Sequence, residues 1–359
     1  MRVRSLAALA AILVLLLAAP AFAAEGEIKR AANGKPDLTG TYDAATLTPL
    51  QRPEEYGENL YLTPEEAEKI ATDAAKARAE RHQVSDPNRE APPEGGDGSP
   101  GAAGNVGGYN SFWLDRGTDT FAVDGKFRTS IIVDPPNGRM PETTDAAKAR
   151  FAERAKLRRP NEGVAWWLEL DGPGPYDGPE SLPISERCIL GFTGATPTFP
   201  SGYNNYKRVV QTEDHIMILI EMVHDARIIR LNDEHPSPEE RRWLGDSIGW
   251  WEGDTLVIDS VHFRPDGFLR GATKDLHVTE RLTLQPDGNI LYRFTIDDPA
   301  TWDVPWSGEY IWKRSPVDVY EYACHEGNYS MGGTLRGARV LEADALAAKA
   351  ASTGAGSGD

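Results

Sequence analysis

Short apolar or alternating runs, separated by turn residues, dominate the chain from Tyr109 onward. They cover 109–114, 127–133, 205–211, 215–223, 226–231, 247–251, 255–263, 276–284, 290–296, 306–313 and 317–324. Such runs, bounded by Gly, Pro, Asn and Asp, predict strands. Glu252-Gly253-Asp254 and Pro286-Asp287-Gly288-Asn289 each separate two runs and predict hairpins. Helical signals are few. Thr63-Pro64-Glu65-Glu66 predicts a capped start, with Thr63 as N-cap and Glu66 closing a capping box, for a surface helix reaching about Arg81. Further helices are expected at about 143–158, after Ser237-Pro238-Glu239-Glu240, and in an alanine-rich stretch near 340–350. Many strands, tight connections and no strand–helix alternation predict a mainly β fold. The expected form is an antiparallel β-barrel or sandwich with a few peripheral helices.

The same pattern divides the chain. Residues 24–108 read as an N-terminal extension holding a turn and short strand over Gly34 to Tyr42, the surface helix and a Pro/Gly-rich loop over 83–108. Residues 109–339 form the expected antiparallel β domain, and 340–359 an alanine-rich helix with a flexible tail. Ahead of them, Arg2 and Arg4 precede an apolar run from Leu6 to Leu17, and Ala21-Phe22-Ala23 supplies small residues for cleavage. This is the layout of a secretory signal peptide at 1–23, so the mature chain is expected in the periplasm or outside the cell. No later segment reaches the ~20 apolar residues of a membrane span, so no membrane partner is expected after cleavage.

Charge narrows the partners. The chain has 55 acidic and 38 basic side chains, a formal charge of −17. Loss of Arg2 and Arg4 with the signal leaves 36 against 55, or −19. Nucleic acid, which demands a basic surface, is excluded as a partner class. Export also changes the reading of the two cysteines. Cys188 and Cys324 are expected to form one disulfide in an oxidising compartment. A Cys/His metal site recruiting His325 would lack a second close ligand pair, so neither a metal nor a cofactor is expected.

Candidate chemistry comes from carboxylates out of step with their surroundings. Glu221 sits within a stretch that is apolar on both faces, Ile216 to Val223. Glu280 shares a strand face with Val278, Leu282 and Leu284, and Glu321 one with Val317, Val319 and Ala323. Each must find a partner or hold its proton more tightly, which suits acid–base work. Each could equally be a buried glutamate paired with an arginine to fix strand order, and Arg227, Arg281 and Arg293 are candidate partners. His224-Asp225 sits at a tight reversal between two strands, either as plain turn chemistry or as an imidazole oriented to act as a base. His277 opens the Glu280 strand, while His82 and His235 lie in polar surroundings and are expected to face solvent. A disulfide would bring Glu186 and Arg187 beside His325 and Glu326. Among the tryptophans, Trp302 and Trp306 lie in a segment rich in Asp and Pro, where exposed indoles would suit stacking on a ligand. Gly-x-Ser-x-Gly and phosphate-loop motifs are absent.

Several phrases together resemble a widespread family of exported bacterial proteins of no established activity. They include Gly34-Lys35-Pro36-Asp37-Leu38-Thr39-Gly40, Ser185-Glu186-Arg187-Cys188, His224-Asp225-Ala226-Arg227 and Trp251-Glu252-Gly253-Asp254-Thr255-Leu256-Val257. Thr129-Ser130-Ile131-Ile132-Val133-Asp134-Pro135-Pro136-Asn137-Gly138-Arg139, His277-Val278-Thr279-Glu280-Arg281 and Tyr320-Glu321-Tyr322-Ala323-Cys324-His325-Glu326-Gly327-Asn328-Tyr329 complete the set. The resemblance spans about residues 34–339. Members often carry Trp where this chain has Tyr42, giving a Gly-x-Trp start similar to that of lipocalin-like barrels. The family supplies no catalytic residues to carry over.

Two functions follow as expectations. In the first, a carboxylate- and Arg-lined β pocket binds a small polar or aromatic molecule through Arg227, Arg281, Trp302, Trp306, Glu321, His325 and Glu326. In the second, the same pocket is that of an extracytoplasmic lyase, isomerase or hydrolase. Glu221 or Glu280 would then serve as base, His224 or His277 as acid, Asp225 as the group orienting His224, and Arg227 or Arg281 as anchor.

Overall fold

The alternation from Tyr206 to Ser315 resolves into eight strands that curl and close with help from the N-terminal part of the chain. The computed structural model describes residues 27–81, 88, 114–159, 162–191, 196–265, 269 and 271–354. The expected signal segment, the loop at 83–108 apart from Asn88, His82 and most of the 109–114 run lie outside them. Five short strands come first: β1 (Gly40–Asp43), β2 (Tyr61–Leu62), β3 (Ala122–Val123), β4 (Lys126–Arg128) and β5 (Ile132–Asp134). The long ones follow: β6 (Tyr206–Gln211), β7 (His215–Ile220), β8 (Ala226–Leu231), β9 (Asp246–Glu252), β10 (Thr255–Val261), β11 (His277–Leu284), β12 (Ile290–Asp297) and β13 (Trp306–Ser315). The order β1-β6-β7-β8-β9-β10-β11-β12-β13 closes through a β1–β13 pairing into a nine-stranded barrel, with β5 added beside β13. All pairings are antiparallel except β8 with β9. Strands β2, β4 and β3 form a separate small sheet. The barrel thus takes its first strand from residues 40–43, inside the stretch expected to form an N-terminal extension.

Three α-helices stand outside the barrel among the described residues: α1 (Pro64–Arg81), α2 (Asp145–Lys156) and α3 (Tyr329–Gly354). The capping box of α1 is reciprocal, Glu66 N donating to Thr63 Oγ1 at 3.2 Å and Thr63 N to Glu66 Oε2 at 2.7 Å. Helix α2 starts at Thr144, whose hydroxyl accepts from Ala147 N. Two expected elements do not form. Residues 237–240 make a single turn, and 317–324 run as irregular chain. The second fails because the free edge of β13 is already taken, by β5 at Ser307–Gly308 and by β1 at Lys313–Ser315.

Inward positions of the strands fill the barrel with large side chains. Tyr42, Tyr292, Tyr310, Phe294, Trp306 and Trp312 are all buried. Trp302 and Trp306 pack edge-to-face within this core, so neither is an exposed stacking surface as expected. Gly308 lets β13 pass close to its neighbours, since a Cβ there would meet the Phe294 ring and Ile131 O. One end of the barrel carries tight turns at 212–214, 253–254 and 285–289. The other carries the longer connections 221–225, 262–276 and 298–305. From the loop end, residues 196–199 enter the barrel: Thr198 is fully buried and Phe199 packs on Phe294 and Trp306. No described helix is long and apolar enough to cross a membrane.

Candidate functional site

A polar seam crosses the apolar interior. Lys207 on β6 is fully buried, its ammonium 5.6 Å from the Trp312 ring centroid. Trp312 stacks on Tyr292 at 4.6 Å, and Tyr292 donates its hydroxyl to Glu280 Oε1 at 2.6 Å. Glu280 on β11 receives two bonds from Arg227 on β8, Nη2 reaching Oε1 at 2.8 Å and Nη1 bonding Oε2. Arg227 Nη1 also donates to Thr196 Oγ1 at 3.2 Å. Burial pushes the Tyr292 phenol well above its ordinary value, and adjacent Glu280 adds to the effect. Arg227 is held protonated by Glu280 against the cost of burial. This is the alternative that the sequence left open: an inward glutamate saturated by arginine to tie two strands together. With both oxygens engaged inside a filled barrel, Glu280 is not poised as a base. Burial also lowers the Lys207 ammonium to about 8, with Asp43 and Glu221 pulling the other way.

At the loop end the turn between β7 and β8 gathers three of the expected residues, Glu221, His224 and Asp225. Its backbone is unusual. Val223 (φ 57°) and His224 (φ 46°) both lie in the left-handed region, which a β-branched residue rarely enters. Such a conformation costs about 1–3 kcal/mol per residue and persists only when its surroundings hold it. Here they do. Ile220 N donates to Asp225 O at 2.8 Å and Glu221 N to Tyr206 O at 3.0 Å. Glu221 is buried, and its Oε2 accepts from Tyr206 N at 3.2 Å. Asp225 is buried, and its Oδ2 accepts from Gly191 N at 2.8 Å. Among the described residues neither carboxylate has an ion-pair partner. Burial therefore raises both, Asp225 to about 6.

His224 is exposed, and its Nδ1 lies 3.2 Å from the carbonyl oxygen of Tyr322. A carbonyl only accepts, so Nδ1 carries a proton, and in the neutral ring Nε2 is the acceptor. The disulfide supports both neighbours of the turn. Cys188 and Cys324 are bonded, with Cα atoms 5.8 Å apart. Gly191, the donor to Asp225, follows Cys188 by three residues, and Tyr322 precedes Cys324 by two. Glu186 is brought to Asn328 and Ser330, which bond its backbone carbonyl at 2.6 Å and its carboxylate at 3.1 Å. His325 and Glu326 are exposed beyond the bridge. Glu321, expected on a strand face, is an exposed residue of the irregular segment.

The remaining candidates lie on the barrel's outer wall. Arg281 pairs with Glu252, both largely solvated. His277 bonds Asp259 on β10, not Glu280, and Asp259 also contacts His235 Nε2 at 3.0 Å. His235 Nδ1 meets Asp246 at 2.8 Å, and Asp246 is held by Arg230. His235, expected in solvent, is thus clasped between two carboxylates. Burial alone would raise Asp259, but its hydrogen bonds from His277 and His235 hold it below the usual carboxylate range. The same bond raises His277. No group of three or more His, Cys, Asp or Glu side chains among the described residues is arranged to hold a metal ion. Sequence reasoning missed Lys207, because β6 lacks clean alternation, and Asp259, although a lone carboxylate in the run 255–263 was a visible signal. Neither a protein-family model nor a curated protein matches the chain.

Proposed function

We propose that the protein is exported and binds a small polar molecule at the loop end of the barrel, over the Val223–Asp225 turn. The observation that carries this reading is the pair of adjacent left-handed residues, which holds the His224 imidazole at the surface in one tautomer. An outward Nε2 acceptor suits a ligand hydroxyl or amine, and the buried Glu221 and Asp225 carboxyls behind it tune the local charge. The barrel is then scaffold rather than container. The disulfide and the secretory layout of residues 1–23 support export. The acid–base enzyme remains a second reading, favoured by two carboxyls raised by burial within one turn of an oriented imidazole.

The test is native mass spectrometry of protein isolated from the extracytoplasmic fraction of its own host. Wild type is expected to retain a small adduct that His224→Ala loses while keeping its circular dichroism spectrum. An adduct indifferent to His224→Ala, or none at all, refutes the binding reading. A catalyst would instead retain substrate in Glu221→Gln and release it from wild type.

A further inference from the structure

A second concave site lies at the opposite end of the molecule, independent of the His224 turn. The β3–β4 hairpin stands off the outer face of β12 and β13 and leaves a groove of about 530 Å³. That is within the range of small-molecule sites, roughly 300–1,000 Å³. Leu291 and Ile311 form an apolar floor, and Phe127 faces them from the hairpin. Three carboxylates, Asp119, Asp124 and Asp287, stand around it, with Lys313 as the one lining cation among the described residues. Lys313 is already bonded to Asp119. Asp287 accepts only from neutral Asn289, at its backbone and side-chain nitrogens, and Asp124 has no ion pair among the described residues. Thr120, on the groove wall and 4% exposed, keeps a buried hydroxyl without a hydrogen-bond partner. An apolar floor with uncompensated negative charge at its rim and a spare hydroxyl calls for a ligand of matching polarity.

We propose that this groove binds an organic amine: a protonated nitrogen held by Asp124 and Asp287, on an apolar body lying over Leu291 and Ile311. An anion of the same shape would face three carboxylates and be rejected. A neutral body would gain the floor but leave the rim charges as they are.

The experiment titrates phenethylamine into the full mature chain, read by amide chemical-shift changes and calorimetry, with 3-phenylpropionate as the anionic control of like shape. Phenethylamine is expected to bind saturably, shifting Thr120, Asp124 and Asp287, and to weaken as salt is raised from about 20 to about 200 mM. The Asp124→Asn/Asp287→Asn variant, at exposed turn positions, is expected to fold normally and bind at least about fivefold more weakly, each charge acting over a short, partly screened distance. His224→Ala is expected to leave this binding unchanged, which separates failure here from failure at the loop end. The proposal is overturned by equal binding of 3-phenylpropionate, by no saturation below about 10 mM, weaker than any useful affinity, or by unchanged affinity in the double variant. Sedimentation showing a dimer whose dissociation on dilution shifts the Asp124 and Asp287 amides would equally overturn it, since a second copy would then be the occupant.

Discussion

Replacing Asp225 by Asn should stabilise the protein in alkali and cease to do so in acid. The Asp225 carboxyl is buried, lacks an ion-pair partner and is raised from 3.8 to about 6. An acid whose pKa is higher in the folded chain binds its proton more tightly there, so it favours folding most below the unfolded value. That advantage is lost as pH rises from about 4 to about 6, and beyond this the ionised group is simply less costly in the unfolded chain. A difference of about two pH units corresponds to about 3 kcal/mol. Asn cannot ionise, and its oxygen can still accept from Gly191 N, while its amide hydrogens go unmatched at a cost of about 1 kcal/mol. The expected gain is therefore about 2 kcal/mol at pH 8, falling to zero near pH 4.5. Urea unfolding of wild type and Asp225→Asn from pH 4.5 to 8, with the disulfide intact, measures it. The difference between the two proteins removes groups they share, including the similarly raised Glu221. A stability difference that stays constant across this range would refute the assignment of Asp225 as a destabilising buried carboxylate.

Other outcomes follow from the same geometry. Glu280→Gln or Arg227→Met should each cost about 3–5 kcal/mol in denaturant unfolding, because each strands a buried charge; the double variant should cost less than the sum. Replacing both Cys188 and Cys324 by Ser frees a loop of 136 residues and should cost about 5 kcal/mol on the chain-entropy account. It should also shift the His224 ring resonances, since Tyr322 is no longer held against Nδ1. The His277 ring should titrate above 6.5 by NMR. Its bond to Asp259 favours folding below 6.5 and loses that contribution as pH rises through the raised value, so His277→Gln should cost more at pH 6 than at pH 9, by less than about 1 kcal/mol at this exposed site. Gly308→Ala should destabilise by about 1–3 kcal/mol, because the added methyl meets the Phe294 ring and Ile131 O at 2.9 Å.

Local signals made most of the barrel legible. Alternation and hairpin turns located β6 to β13 to within three residues, because most of those strands have one wet and one dry face. Glu280 was legible as inward for the same reason, and Arg227 was among its three candidate partners, though the farthest from it in sequence. Tertiary competition was not legible. The 317–324 run alternates as cleanly as its predecessors but finds no edge, which moved Glu321 from a strand face to solvent. Strand β1 was legible as a short strand after the Gly34–Asp37 turn, but with four residues it carried no sign that it closes the ring and supplies Tyr42 to the core. The His224 turn was recognised as a reversal, but the tautomer of His224 depends on Tyr322, nearly a hundred residues away. Cysteine arithmetic was the one long-range signal the sequence carried, and it brought that neighbour within reach.

The lone parallel pair, β8 with β9, follows from counting. Strand directions around a closed ring can alternate without exception only if the number of strands is even. With nine, at least one neighbour pair must run the same way, and residues 232–245 carry the chain back along the outside so that β9 can start beside β8. The same parity gives β1 its importance. Strands β6 and β13 point in one direction, and β1 lies between them pointing in the other. Four residues thereby replace one parallel closure by two antiparallel ones. The ring is sealed by its first strand, after its last strand has been made, so a chain emerging from synthesis must keep Gly40–Asp43 unpaired on one side until β13 arrives.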